Sequence, residues 1–419
     1  MEERIVTTNA AVVLVDRVLP RATVIVQDGL VADIVEGASR AAGPNVIDAD
    51  GAFLLPGVVD LHNDNLEFEI HPRSSANLPL PFALATMERR LAAAGVTTEF
   101  HAISFQEQVR KGRTISEAGE RAAFIADYDD SSARPVRHHI LHRLDMRTPG
   151  VLESALPSLR RVRVPYVSLN DHTPGQGQYR DVEHLIAMAD TNRAMRGNET
   201  VDSNWYRERM RRSMADTETV PAFYRTMAEA TSHVPMTIST HDDDTVEKVD
   251  EQLRLGATVA EFPITIEAAA HARRNGMAII IGAPNVVRGG SQSGNLPAHE
   301  LVRQGLADII CADYHAPSLI PAAFRLADDG LLGLPEAVRM ITRTPSQTVG
   351  LTDRGEIAPG LLADLCLVRR DATGWPHVER TFVAGRESFT FRRYDQAMTV
   401  MEATTAPERG RAGREAGIE

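Results

Sequence analysis

The chain has 419 residues, more than one small domain needs and enough for a barrel of ~250 residues with additions. Its composition, 43% hydrophobic and 24% charged, is that of an ordinary globular protein, and no apolar run reaches the ~18 residues that would span a bilayer. With 57 acidic against 45 basic residues the net charge is −12, which excludes nucleic acid as a general partner but not a small anionic substrate met by local positive charge.

The N-terminus lacks a signal-peptide layout. The two cysteines, Cys311 and Cys366, are too few and too isolated for a disulfide framework or a thiolate zinc site. Both points predict a cytoplasmic protein with no membrane partner. Residues 1–53 alternate apolar and polar over Ala11–Val15, Thr23–Val26 and Val31–Val35, a period of two that predicts antiparallel strands. The pattern returns at Ala363–Val368 and Arg380–Phe391, after a Pro359-Gly360 turn. Residues 1–53 and 355–400 are therefore expected to form one small β-sandwich domain built from both termini.

Between them, over residues 54–354, strand-like runs alternate with helix-period segments. The strand candidates are Leu54–His62, Val96–Ser104, Arg137–Met146, Tyr166–His172, Pro235–Asp242, Ala257–Ile264, Met277–Asn285 and Ala307–His315. Helical periods such as Phe82–Ala94, Val246–Leu255, Thr265–Arg274 and Leu319–Ala327 fill the gaps. Eight such units predict an α/β fold, a (β/α)8 TIM-like barrel whose site lies at the C-terminal strand ends. An open doubly wound sheet would want a Gly-rich dinucleotide turn after its first strand, and none is present. Residues 173–219 exceed ordinary loop length and carry Arg193, Arg196, Arg207, Arg209, Arg211 and Arg212. This inserted segment reads either as a solvated helical excursion or as a lid or homo-oligomer contact. Residues 401–419, poor in large apolar side chains, are expected to be a flexible tail.

Polar residues recur at the predicted strand ends. The first strand ends in His62, Asp64 and Asn65, and side chains two apart on a strand face the same way, so His62 and Asp64 can grip one ion. The third carries His142 and Asp145, the fourth ends Asn170-Asp171-His172, and the fifth ends His241-Asp242-Asp243-Asp244. The sixth holds Glu261, the seventh ends Pro284-Asn285 and the eighth Asp313-Tyr314-His315. Imidazoles and carboxylates in this mixture suit Zn or Mn. Asp244-Thr245-Val246-Glu247 has capping-box spacing, so at least one of the three aspartates is expected to cap a helix. His101, His138 and His139 lie away from the expected mouth and read as structural. Asp313 follows the buried run Ile309-Ile310-Cys311, where an unpaired charge is costly. It can bind metal, take a proton from an attacking water and protonate a leaving group.

This set resembles the amidohydrolase superfamily over roughly residues 5–390. The resemblance implies a metal-dependent hydrolase barrel, a flanking β domain and Asp313 as proton shuttle. Here His62-Asn63-Asp64 stands where that superfamily carries His-X-His. A carboxylated lysine bridge is not expected, because Lys111 and Lys248 fall in or beside helices and away from the strand ends. One or two divalent ions would then be held by His62, Asp64, Asp145, His172, His241 and Asp313. Asp145 is the choice for a bridging carboxylate, with Asp171 or Glu261 as substitutes.

Finer motifs occur in order: His62-Asn63-Asp64-Asn65-Leu66-Glu67, Asp171-His172-Thr173-Pro174-Gly175-Gln176, His241-Asp242-Asp243, and Gly282-Ala283-Pro284-Asn285-Val286-Val287-Arg288-Gly289-Gly290-Ser291. Ala312-Asp313-Tyr314 and Pro317-Ser318-Leu319 follow. Together these resemble the phosphonate-operon diphosphatase family, which hydrolyses α-D-ribose 1-methylphosphonate 5-triphosphate to the 5-phosphate and pyrophosphate in the carbon–phosphorus lyase pathway. The resemblance implies a phosphorylated-sugar substrate held by Asn285, Arg288, Gly289, Gly290 and Ser291, where a guanidinium, glycine amides and a hydroxyl could cradle phosphate oxygens. Gln176, Gln178 and Arg180 would reach the ribose or the phosphate chain. A plain Gly-Gly surface turn is the other reading of that block. The alternative activity is C–N hydrolysis on the same barrel, by a deaminase or N-acyl-amino-acid hydrolase. A barrel that has lost activity and serves as a scaffold would have little use for these clustered ionisable groups.

Overall fold

The structure, a computed structural model, describes residues 4–391 apart from 74–75, 108–112, 130–133, 172, 174–176, 178–182, 184–185, 188–202 and 292–295. Five N-terminal strands come first: β1 (Arg4–Val13), β2 (Val18–Gln27), β3 (Leu30–Glu36), β4 (Val46–Asp48) and β5 (Phe53–Pro56). The barrel strands follow as β6 (Val58–Asn63), β7 (Val96–Phe105), β8 (Arg137–Asp145), β9 (Tyr166–Asn170), β10 (Thr237–His241), β11 (Val259–Glu261), β12 (Ala278–Gly282) and β13 (Ile309–Cys311). The C-terminal strands β14 (Leu365–Arg370), β15 (Pro376–Val383) and β16 (Arg386–Thr390) return to the first group. The terminal strands form one mostly antiparallel sheet in the order β16-β15-β14-β5-β1-β2-β3, with β4 beside β1. Its apolar face buries Val12, Val24, Leu54, Leu365 and Phe382.

The run Leu54–His62, expected as one strand, is divided between the two sheets at Gly57. β5 pairs antiparallel with β14 and β6 pairs parallel with β7. A Cβ at Gly57 would overlap the Thr97 side chain, so only glycine lets the chain pass this close to β7. Likewise, the expected strand Arg380–Phe391 bends at Ala384 and Gly385, both at positive φ, and becomes the β15–β16 hairpin.

The eight barrel strands run parallel in the order β6 to β13, and helices pack outside them over a continuous apolar layer. Inside the barrel, Val59, Leu61, Phe100, Leu141, Tyr166, Val259, Ile280 and Ile309 fill the lower part. Between β13 and β6 the barrel closes through a single parallel bridge, Asn63 to Asp313. The Asp313 N–H donates to the His62 carbonyl at 2.9 Å, and the Asp64 N–H donates to the Asp313 carbonyl at 2.8 Å. The backbone of the expected catalytic residue is thus the closing rung. The expected strand Met277–Asn285 ends at Gly282 and continues as the helix Ala283–Arg288, because Pro284 has no N–H for a ladder but suits a first helical turn. The helix Val246–Arg254 is capped by Thr245, whose hydroxyl accepts the Lys248 N–H at 3.2 Å, and not by one of the preceding aspartates as expected. Among the described residues, no helix is long and apolar enough to cross a membrane.

Two carboxylates, Asp60 and Glu99, are fully buried side by side on β6 and β7. Burial pushes Asp60 up to about 7, against the pull of N–H groups from Ala312 and His62 that its Oδ1 accepts. Burial and Asp60 raise Glu99 further. A raised folded pKa means the native state holds protons that the unfolded chain has released. Their stabilising contribution is complete below the ordinary carboxylate range and is lost as pH rises through 7. Asp60→Asn keeps the acceptor for both N–H groups and offers Glu99 a donor. The variant is expected to melt higher than wild type at pH 8, by an equivalent of about 1–3 kcal/mol, and to show a flatter Tm between pH 5 and 8. An unchanged pH dependence would remove the carboxylate pair as its cause.

Candidate active site

The C-terminal strand ends gather His62 from β6 and Asp64 just beyond it, Arg143 from β8, His241 from β10 and Asp242 just beyond it, Glu261 from β11 and Asp313 after β13. His62, His241 and Glu261 are buried, and one ligand atom from each lies within 4.8 Å of the others. The His62 Nδ1 is 3.2 Å from Glu261 Oε2, and its Nε2 is 3.7 Å from Asp64 Oδ1. On the other side, His241 Nδ1 is 2.9 Å from Asp242 Oδ2. Phe262 packs edge-on against both imidazoles, with ring centroids 5.2 and 5.3 Å away, which fixes their planes. Asp242, Phe262 and Asp313 all adopt positive φ of 55–57°. Left-handed backbone at three strand ends of one barrel face is strain held where side chains must be aimed.

Glu261 is the most elaborately held group. Its Oε1 accepts Tyr166 OH at 2.9 Å and Ser239 Oγ at 2.8 Å, and its Oε2 accepts Ser168 Oγ at 2.8 Å. Burial opposes its charge, but His62 and these donors hold the carboxyl below the usual range. In the same way burial opposes charge on His62, yet Glu261 and Asp64 push that imidazole up to about 10. Burial is again outweighed at Asp64, which Arg143 and His62 keep well below normal. For Asp313 burial wins and raises the carboxyl to about 7, with His62 and Arg143 pulling it down and Asp64 pushing it up. A buried site in which carboxylates force a proton onto an imidazole has a surplus of negative charge. Two imidazoles and a carboxylate at this spacing fit a divalent cation that would replace that proton.

Arg143 is the residue that sequence reasoning missed. Its Nη1 meets Asp64 Oδ1 at 2.7 Å, and its Nη2 reaches Asn170 Oδ1 at 3.1 Å and His241 Nε2 at 3.3 Å. The alternation along β8 points Arg143 inward and His142 outward, where His142 meets Ser158 Oγ at 2.8 Å and burial lowers it to about 4. Counting parity from the buried Leu141 is the signal that could have found it.

Other expected ligands stand elsewhere. Asp145 ends β8, and its carboxylate accepts from Gln106 at 2.8 Å and from the Arg147 N–H at 3.1 Å, apart from the His62, His241 and Glu261 group. Asp171 accepts from Arg147 Nε at 3.0 Å. Glu261, kept only as a substitute, occupies the central place. His172, Gln176, Gln178 and Arg180 lie outside the described residues. Lys248 is on a helix as expected, but its Nζ returns to within 3.2 Å of the Asp242 carbonyl, at the end of β10. Lys111, like Arg193 and Arg196, lies outside the described residues. Within the 173–219 segment, Ser203–Ala215 is helical, and Arg211 and Arg212 pair with Glu208 of the same helix.

A cavity of about 550 Å3 opens above these groups and includes Asn285, Arg288, Ser291 and Tyr314 in its wall. Gly289 and Gly290 do something different from the expected cradle. Gly289 ends the helix Ala283–Arg288 at φ 74°, and the two amides donate to Val286 and Asn285 carbonyls at 3.2 and 3.1 Å. Those N–H groups are spent on the helix terminus, while Arg288 and Ser291 face the cavity. Asn285 Oδ1 accepts the Ala298 N–H at 3.1 Å and so ties the cavity wall together.

No protein-family model matches the chain. It is 35% identical over 379 residues to the α-D-ribose 1-methylphosphonate 5-triphosphate diphosphatase of Escherichia coli strain K12, covering 87% of this chain and 95% of that protein. The fold is similar to that of 5-methylcytosine deaminase from Klebsiella pneumoniae, with TM-score 0.62 and 12% identity over 94% of this chain and 99% of the other. It is also similar to enamidase, a member of the amidohydrolase superfamily, with TM-score 0.59 and 18% identity over 92% and 96% of the two chains.

Proposed function

The chain belongs to the α-D-ribose 1-methylphosphonate 5-triphosphate diphosphatase family on an amidohydrolase-superfamily barrel, and from that premise we propose how it acts. It is a hydrolase that cleaves α-D-ribose 1-methylphosphonate 5-triphosphate to the 5-phosphate and pyrophosphate. The observation that carries this is likeness to the E. coli diphosphatase along nearly the whole of both chains. A cavity in which two imidazoles and a carboxylate could hold an ion beside a guanidinium and a hydroxyl suits a polyphosphate better than a neutral amide.

His62, His241 and Glu261 would hold the cation, Zn or Mn, with Asp64 alongside and His172 as a further candidate ligand. When bound, such an ion lowers the pKa of water and polarises a phosphoryl oxygen. Asp313 accepts the proton of the water that attacks the α-phosphorus, and then carries it toward the departing pyrophosphate. Arg288 and Ser291 offset charge on the triphosphate, and Gln176, Gln178 and Arg180 are candidates for the ribose end. Arg288→Met is expected to raise KM about tenfold with a smaller change in kcat, because one charge-assisted contact to an exposed guanidinium is lost. An unchanged KM would take Arg288 out of the binding site. The two buried free cysteines support a reducing, cytoplasmic setting.

The test of the function is a pyrophosphate-release assay on ribosyl triphosphates, run beside N-acyl amides and heterocyclic amines with added divalent metals. Pyrophosphate is expected from the triphosphates alone. Hydrolysis of C–N bonds without pyrophosphate release would overturn the reading.

A further inference from the structure

We infer that the Arg143 guanidinium takes the place of a second metal ion, so that the centre carries one divalent cation per chain. This rests on the reading that His62, His241 and Glu261 hold a metal. A carboxylate, an amide oxygen and an imidazole nitrogen from three other strand ends, Asp64, Asn170 and His241, converge on this one side chain at 2.7, 3.1 and 3.3 Å. Such donors would ordinarily surround a metal ion. The side chain is only 10% exposed, and guanidinium does not lose its proton in a protein, so its positive charge is permanent.

The charges agree with one ion and not two. Asp64, Asp242, Glu261 and Asp313 supply the anionic side of the cavity. One divalent ion together with Arg143 balances three of them, and Arg288 in the cavity wall supplies a fourth positive charge. A second divalent ion would have to strip Asp64, Asn170 and His241 from Arg143 and then sit beside a fixed positive charge. An ion at His62, His241 and Glu261 takes the place of the proton on His62 and of a His241 contact to Arg143 or Asp242, and leaves Asp64 and Asn170 on Arg143. A lysine bridge between two ions has no candidate among the described residues, since the Lys248 ammonium is turned to the Asp242 carbonyl.

Metal content decides the matter without an activity assay. The chelator-stripped full-length protein would be titrated with Mn2+, freed of excess by gel filtration, and examined by elemental analysis and electron paramagnetic resonance. One Mn2+ per chain with the signal of an isolated ion is expected. Two per chain with an exchange-coupled signal would overturn the inference while leaving the metal reading intact, and no bound Mn2+ would overturn both. Arg143→Lys is expected to remain at one ion, whereas Arg143→Gln, with Asp64 and His241 released, is expected to rise to two. A folded Arg143→Gln protein that stays at one ion would show that Arg143 is not what excludes the second.

Discussion

Asp313→Asn is expected to lower kcat by about 10^3-fold while leaving KM and metal content near wild type. The substitution isolates the proton-accepting role because the site tolerates it structurally. Asp313 sits at φ 56°, a left-handed conformation that asparagine adopts as readily as aspartate. A Cβ placed at Gly282 would lie 3.3 Å from Asp313 Oδ2, so there is little spare room there and an isosteric replacement is required. The barrel-closing bonds to His62 and Asp64 are made by the Asp313 backbone and survive the change. What disappears is a carboxylate that burial raises to about 7.

That shift also gives the sign of the pH dependence. Asp313 must be ionised to accept a proton, so wild-type kcat falls as pH drops through the carboxyl's pKa. A bound cation favours the carboxylate and moves this acid limb below 7. The limb is expected to be missing from the residual activity of Asp313→Asn. Full turnover in that variant, or an acid limb that persists unchanged, would assign the base elsewhere.

The barrel was legible because each strand is a short buried run ended by polar residues, and that pattern is local. The division at Gly57 was not, since it depends on how near Thr97 comes from a strand about forty residues later in the chain. His62, His241 and Asp313 were readable as residues at strand ends. Arg143 was missed although it shares the inward parity of β8 with Asp145, whose carboxylate is taken up by Gln106 and by the turn that follows the strand. Glu261 was undervalued. It stands in the middle of the expected strand Ala257–Ile264, but the strand is only Val259–Glu261, so the residue is at the mouth after all. The Gly289-Gly290 pair shows the opposite error, a motif whose conformational freedom serves helix termination while the neighbouring Arg288 faces the cavity.

Glu261→Gln is the change expected to affect the centre most broadly. The carboxylate accepts three hydroxyl donors, from Tyr166, Ser168 and Ser239, and faces His62 at 3.2 Å, all without exposure to solvent. An amide can accept on one side only. Its NH2 would be turned either toward His62 and Ser168 or toward Tyr166 and Ser239. His62, whose charge Glu261 sustains, would then be left as a buried cation or forced to deprotonate. Breaking a buried pair in this way costs about 3–5 kcal/mol, so a fall in Tm is expected in the metal-free protein. The metal-loaded form should lose more, because the only carboxylate in the His62–His241–Glu261 group has gone and Asp64 is already engaged by Arg143. Dialysis against a weak chelator should therefore empty Glu261→Gln under conditions in which the wild type keeps its ion. Because Tyr166, Ser168 and Ser239 hold Glu261 whether or not a metal is present, stability alone does not separate scaffold from ligand. Retention of metal at the wild-type level by a variant that melts several degrees lower would make Glu261 a prop for His62 and move the ion toward Asp64 and Asp313.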